Sequence, residues 1–142
     1  MPRNAVFLDS NGWIALLNTR ETLHFDAAER WRGLSRAATP VILTDWIVAE
    51  TGNGLARTAV RSRFAEIVQE MLRNRRFRVV EITPELMERA LLMYSHRPDK
   101  TWGLVDCASF IVMADEGITE AFTTDKHFEQ AGFERLLPAE VT

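Results

Sequence analysis

Short apolar runs of strand length alternate along this chain with longer segments whose apolar residues recur every three or four positions. Few folds accept that pattern. Val6-Phe7-Leu8, Val41-Ile42-Leu43, Phe77 to Ile82, Ala121-Phe122-Thr123 and a last short run, Arg135-Leu136-Leu137, read as strands. Between them fall helical stretches from Gly12 to Leu17, from His24 to Ser35, and from Trp46 to the glycines Gly52 and Gly54, the last capped by Thr44 or Asp45. Ala59 to Asn74 is amphipathic, with Val60, Phe64, Ile67, Val68, Met71 and Leu72 on its inner face. The second helix places Phe25, Ala28, Trp31 and Arg32 on one side. Thr83-Pro84 opens a further helix with Leu86, Met87, Ala90 and Leu91 inward, and Gly103 to Ala114 forms another. Strands alternating with helices imply a parallel sheet covered on both faces. The expectation is an α/β protein of three layers.

At 142 residues, with no repeat and no Pro/Gly/Ser-rich linker, the chain reads as one domain over residues 1–142. Its 46% apolar and 26% charged content excludes a disordered, collagen-like or coiled-coil chain. No apolar run reaches the roughly 18 residues of a membrane span, and MPRNAVFLDS lacks the apolar core of a signal peptide. The single cysteine, Cys107, forms neither an internal disulfide nor a cysteine zinc site, which suits a reducing cytoplasm.

The formal charge of −3 carries no global signal for nucleic acid. The basic residues are nonetheless clustered: Arg57, Arg61, Arg63, Arg73, Arg75, Arg76 and Arg78 lie within one short stretch. Arginine forks match phosphate and stack on bases, so RNA contacts are assigned to Arg73, Arg75 and Arg76, against the alternative of a solvated helix pair.

Four acids occupy positions where an ordinary surface acid is not expected. Asp9 ends the first strand and Asp125 follows the fourth, at the sheet edge where open α/β folds bind ligands. Asp106 is the one charged residue from Gly103 through Ala114, and Glu50 closes the apolar Trp46-Ile47-Val48-Ala49 run. Each alone has a plain reading as a cap, turn or exposed acid. Two acids at strand ends and two on adjoining helices can converge. Two carboxylates about 4 Å apart repel by roughly 4 kcal/mol at an effective dielectric near 20. A divalent cation relieves that repulsion, and oxygen ligands without a His or Cys cluster fit Mg²⁺ or Mn²⁺ rather than zinc. Without metal, neighbouring charge should raise at least one of these carboxyl groups.

The segments Val6-Phe7-Leu8-Asp9-Ser10-Asn11, Ile47-Val48-Ala49-Glu50, Leu104-Val105-Asp106-Cys107-Ala108-Ser109-Phe110 and Phe122-Thr123-Thr124-Asp125-Lys126-His127-Phe128 carry a resemblance. In this order and spacing the chain resembles the PIN-domain ribonucleases, specifically the VapC-type toxins of type II toxin–antitoxin systems. The resemblance implies an α/β/α fold with a central parallel sheet of about five strands, and a Mg²⁺- or Mn²⁺-dependent endoribonuclease. It implies an RNA substrate, a cognate antitoxin and a homodimer. By position Asp9, Glu50, Asp106 and Asp125 match the family's acidic cluster, with Asn11 and Thr123 as its polar supports. Gly103 stands where relatives often carry Ser, so a hydroxyl is missing there. Asp99 fits a fifth acid or a turn, and His127 fits a helix cap better than a phosphate contact or proton relay.

Other readings differ in class. A Mg²⁺-binding receiver module needs paired acids after the first strand and a phosphoacceptor Asp after the third, where this chain has Asp9-Ser10-Asn11 and Glu81-Ile82-Thr83. A haloacid-type phosphatase needs Asp-x-Asp, which Asn11 breaks. A stand-alone RNA-processing nuclease keeps the same chemistry without an antitoxin. A protein acting only through a partner has no use for four intact acids.

Overall fold

A computed structural model describes residues 4–139. Five parallel strands form its sheet, β1 (Val6–Leu8), β2 (Val41–Thr44), β3 (Phe77–Val80), β4 (Glu120–Phe122) and β5 (Glu134–Arg135), in the order β3-β2-β1-β4-β5. The helices are α1 (Ser10–Leu17), α2 (His24–Arg36), α3 (Asp45–Gly54), α4 (Phe64–Arg73), α5 (Pro84–His96), α6 (Leu104–Glu116) and α7 (Lys126–Gln130). Right-handed crossovers put α1 to α4 on one face of the sheet and α5 to α7 on the other, so the three layers are as the sequence implies. Val6, Phe7, Leu8, Val41, Leu43, Ala121 and Phe122 are buried throughout, as strands covered on both sides must be.

Chain order runs outward from β1 in one direction to β3 and from β4 in the other to β5. The crevice between the C-terminal ends of β1 and β4 is therefore the topological switch point, where such sheets take their ligands. Asp9 stands at the start of α1 on one side of it, and Asp125 caps α7 on the other.

Several local expectations shift. The inner stripe of α2 is Ala27, Trp31 and Leu34; Phe25 is 73% exposed and Arg32 points outward. Leu72 on α4 is 61% exposed, and Met87 and Leu91 on α5 are also exposed, leaving Leu86, Ala90 and Met93 inward. The segment read as one helix from Ala59 starts instead with a 3₁₀ turn, Arg61–Arg63, and becomes α-helical at Phe64. β3 stops at Val80, and beyond it the Ile82 N–H turns to the Asp45 carboxylate at 3.0 Å. The five-residue α7 has only Phe128 buried and is too short to leave a periodic signature. Trp13 and Trp102 are core residues, with Trp31 and Trp46 packed against the core. Cys107 is buried in α6.

Candidate active site

Asp9 leaves the end of β1 only 3% exposed. Its side chain does not cap α1; its Oδ2 accepts the Thr123 hydroxyl at 2.7 Å. Thr123 Oγ1 also accepts the Asp125 N–H at 3.0 Å, so one hydroxyl ties the ends of β1 and β4 together. Asn11 Oδ1 takes the Thr124 N–H at 2.9 Å and fastens the first turn of α1 to the same edge. Burial pushes the Asp9 carboxyl up to about 7 against the lowering effect of the Thr123 hydrogen bond, and the charges of Asp106 and Glu50 add to the rise. Desolvation comes first and repulsion second, the reverse of what crowding alone predicts.

Asp106 sits in the first turn of α6, where its Oδ2 accepts the Gly103 N–H at 3.1 Å. It thus satisfies its own helix terminus while facing the crevice. Its carboxyl is also raised, mainly by burial, with the charge of Asp125 adding to it. Asp125 caps α7 through the His127 N–H at 2.9 Å. The plain reading of both acids as helix-terminal residues and the reading as site acids are compatible. Glu50, on the exposed side of α3, is held by a short hydrogen bond from the Ser10 hydroxyl. A Cβ at Gly103 would meet nothing closer than Asp106 Oδ2 at 4.0 Å, so a serine would fit there; its absence removes a hydroxyl and leaves the backbone donor.

His127 belongs to this cluster, a place the sequence pattern does not predict for it. Its Nδ1 lies 2.9 Å from Asp106 Oδ2 and 3.4 Å from Asp125 Oδ2, and its Nε2 faces Thr101 Oγ1 at 3.0 Å. One ligand atom from each of Asp106, Asp125 and His127 lies within 4.8 Å of the others, a spacing that can hold a metal ion. This group sets one imidazole nitrogen beside two carboxylates and takes in neither Asp9 nor Glu50. Its signal in the sequence is the position two residues after Asp125, which puts the imidazole in the first turn of the helix that Asp125 caps. Ser10 and Thr101 are further members that sequence reasoning misses, since nothing local marks a hydroxyl as a partner of a residue 40 or 26 positions away.

Asp99 stays outside. It forms an exposed fork with Arg97, with both distances 3.1 Å, in the turn before α6. His24 is tied to the Ala15 carbonyl at 2.9 Å. Arg73 ends α4, and Arg75 and Arg76 lie in the turn leading into β3, at the N-terminal edge of the sheet and so across it from the acids. Arg76 donates through Nε to the Thr39 carbonyl at 2.6 Å and packs over Trp31 and Phe77, 5.4 and 5.2 Å from their ring centres. It fastens the bottom of the sheet. Arg73 and Arg75 are exposed.

Residues 6–134 match the family described as PIN domain. The chain is 29% identical over 142 residues to the 23S rRNA-specific endonuclease VapC20 of Mycobacterium tuberculosis, covering 94% of this chain and 98% of that protein. The crystal structure of that Sarcin-Ricin loop cleaving toxin superposes with a TM-score of 0.81 at 27% identity, covering 94% of this chain and all (100%) of the other. VapBC2 from Rickettsia felis, bound to a DNA fragment from its promoter, shares the fold with a TM-score of 0.62 at 13% identity, over 96% of this chain and 97% of that one.

Proposed function

Because the chain belongs to the PIN-domain family, we propose that it is a metal-dependent endoribonuclease that hydrolyses RNA phosphodiester bonds, as the toxin of a toxin–antitoxin pair. The observation that carries this reading is the buried Asp9, raised to about 7 and held by Thr123 beside Glu50 and Asp106 at the switch point of the sheet. A carboxylate kept there at such cost has its natural partner in a cation.

Asp9, Glu50, Asp106 and Asp125 are the proposed holders of Mg²⁺ or Mn²⁺, with His127 beside them. A bound ion supplies Lewis acidity toward water and neutralises charge on the phosphate. The chain's own groups arrange the rest. Thr123 holds Asp9 in one rotamer, and Asn11 keeps the α1 turn against β4. Glu50 or Asp125 would orient the attacking water, and the Ser10 hydroxyl steadies Glu50 for that role. With a divalent ion absent, these acids repel substrate phosphate.

The similarity to VapC20 makes the sarcin–ricin loop of 23S rRNA the first RNA to try. A cognate antitoxin is proposed as partner. A homodimer is proposed too, for which the exposed Met87, Leu91 and Tyr94 of α5 offer apolar surface. No helix among the described residues is long and apolar enough to cross a membrane, and a cytoplasmic site of action is proposed. Arg73 and Arg75 are proposed to touch RNA far from the scissile bond.

The test is cleavage of a sarcin–ricin hairpin and of unstructured RNA by purified protein in Mn²⁺ or Mg²⁺. EDTA, Asp9→Asn and Asp106→Asn are each expected to lower the rate by about a hundredfold or more with the circular dichroism spectrum retained. Full activity in EDTA, or in either variant, overturns the mechanism.

A further inference from the structure

Arg20, Arg57 and Arg63 are separated in sequence, yet all three line one cleft of about 470 Å³ with Leu17, Thr58 and Val60. Among the described residues no carboxylate lines it. None of the three arginines forms an ion pair among the described residues; Arg30, Arg36, Arg61, Arg73, Arg75 and Arg76 share that state, but these three gather around one cleft with no carboxylate in its lining. Three unpaired guanidinium groups around one concavity repel each other, and an anion removes that repulsion.

The position of the cleft points to the kind of anion. Leu17 is the last residue of α1, whose first turn carries Ser10 and Asn11 at the acidic crevice. The chain from Arg57 to Arg63 follows α3, which carries Glu50. Packing draws the two helix ends together, since Gly54 abuts Ile14 and the Trp13 and Phe64 rings lie 5.3 Å apart. An eight-residue helix is about 12 Å long, so the arginines stand a few nucleotides' reach from the acids, on the layer formed by α1 and α3.

Resting on the endoribonuclease reading, we infer that this cleft is a backbone-phosphate site that grips the RNA strand about one α1 length from the acids, at the end of α1 away from them. The arginine forks bind phosphate oxygens irrespective of base, which fixes the register of the strand over the acids and leaves sequence choice to other groups. Leu17 also lines a neighbouring hollow with Met71, Asn74 and Phe77, so the cleft adjoins the turn that carries Arg75 and Arg76. A peptide partner would need large apolar anchors as well, and of the apolar lining residues Val60 is buried, Leu17 is half-buried and the exposed one, Ala59, is small.

The experiment measures fluorescence anisotropy of a labelled sarcin–ricin hairpin against KCl concentration, in EDTA so that the RNA stays intact. Arg57→Ala/Arg63→Ala is expected to weaken binding at low salt and to reduce the log–log salt slope by about 0.7 for each phosphate no longer neutralised. Arg57→Lys/Arg63→Lys should recover most of the slope. An unchanged slope in the alanine variant, with melting temperature retained, overturns the inference even if the protein cleaves RNA. Weakened antitoxin binding with RNA binding untouched also overturns it and assigns the cleft to protein. Failure of the wild-type chain to cleave RNA in Mn²⁺ strikes the endoribonuclease reading instead.

Discussion

Burial holds the Asp9 carboxyl near 7 in the folded protein, against 3.8 when it is free. The folded state therefore binds more protons between those two values, and metal-free stability falls as pH rises through that window. The penalty is fully present above about pH 7 and is on the order of 4 kcal/mol. Asp9→Asn removes it, so the metal-free variant is expected to melt above wild type at about pH 8 and close to it at about pH 4. Wild type should gain about 2.7 kcal/mol from Mn²⁺ at a hundredfold excess over its dissociation constant, and the variant much less. Thermal melts at both pH values, in EDTA and in Mn²⁺, give all the comparisons. Thr123 acts on the same carboxylate: its hydroxyl is the donor that lowers the Asp9 pKa. Thr123→Val should weaken Mn²⁺ binding about 10- to 100-fold by titration calorimetry, and Thr123→Ser should restore it. Equal affinity in the valine variant would mean that the hydroxyl serves only to join the strand ends.

Helix α1 owes its place to a residue with no side chain. A Cβ on Gly12 would lie 2.2 Å from the Phe122 carbonyl oxygen, so α1 rests directly on the end of β4. That close approach brings Asp9 and Asn11 to Thr123 and Thr124. Gly12→Ala must lift the helix away, and a destabilisation of about 1–3 kcal/mol is expected in urea unfolding, as for overpacked cores. RNA cleavage should fall as well, because the acids would separate from their hydroxyl and amide partners. Stability and activity both at wild-type level would refute the close packing. The Gly103–Asp106 turn of α6 behaves differently, since it has room for a side chain.

Across the whole molecule the arginines fall in two groups, one gathered from separate segments around a cleft and one in the turn between α4 and β3. The cleft of Arg20, Arg57 and Arg63 lies at the C-terminal end of α1, whereas Arg73 and Arg75 flank Asn74 in the turn before β3, and Leu17 lines a hollow with Asn74 as well as the cleft. With the cleft as the main phosphate site, Arg73→Ala/Arg75→Ala should leave the salt slope of a short hairpin unchanged. The slope for a longer rRNA fragment should fall by about 0.7 for each phosphate released from these side chains. A slope lowered on the short hairpin would extend the phosphate track from the cleft to the α4–β3 turn.

Element types, their order and the parallel sheet were legible because strand and helix periodicities are local properties of the chain. Asp9, Glu50, Asp106 and Asp125 were legible for a related reason: each interrupts or ends an apolar run in which a lone charge is costly. The inner faces of α2 and α4 were misjudged at Phe25, Arg32 and Leu72, because hydrophobicity alone does not say which of two adjacent stripes meets the sheet. Only the tertiary structure put His127 among the acids, made burial the main cause of the Asp9 shift, and gathered Arg20 with Arg57 and Arg63 around one cleft. Each of these depends on distances between residues far apart in the chain, such as the 114 positions between Asp9 and Thr123. A chain's local pattern states what each segment can form; the packing of distant segments decides which side chains share a site and which charge goes without water.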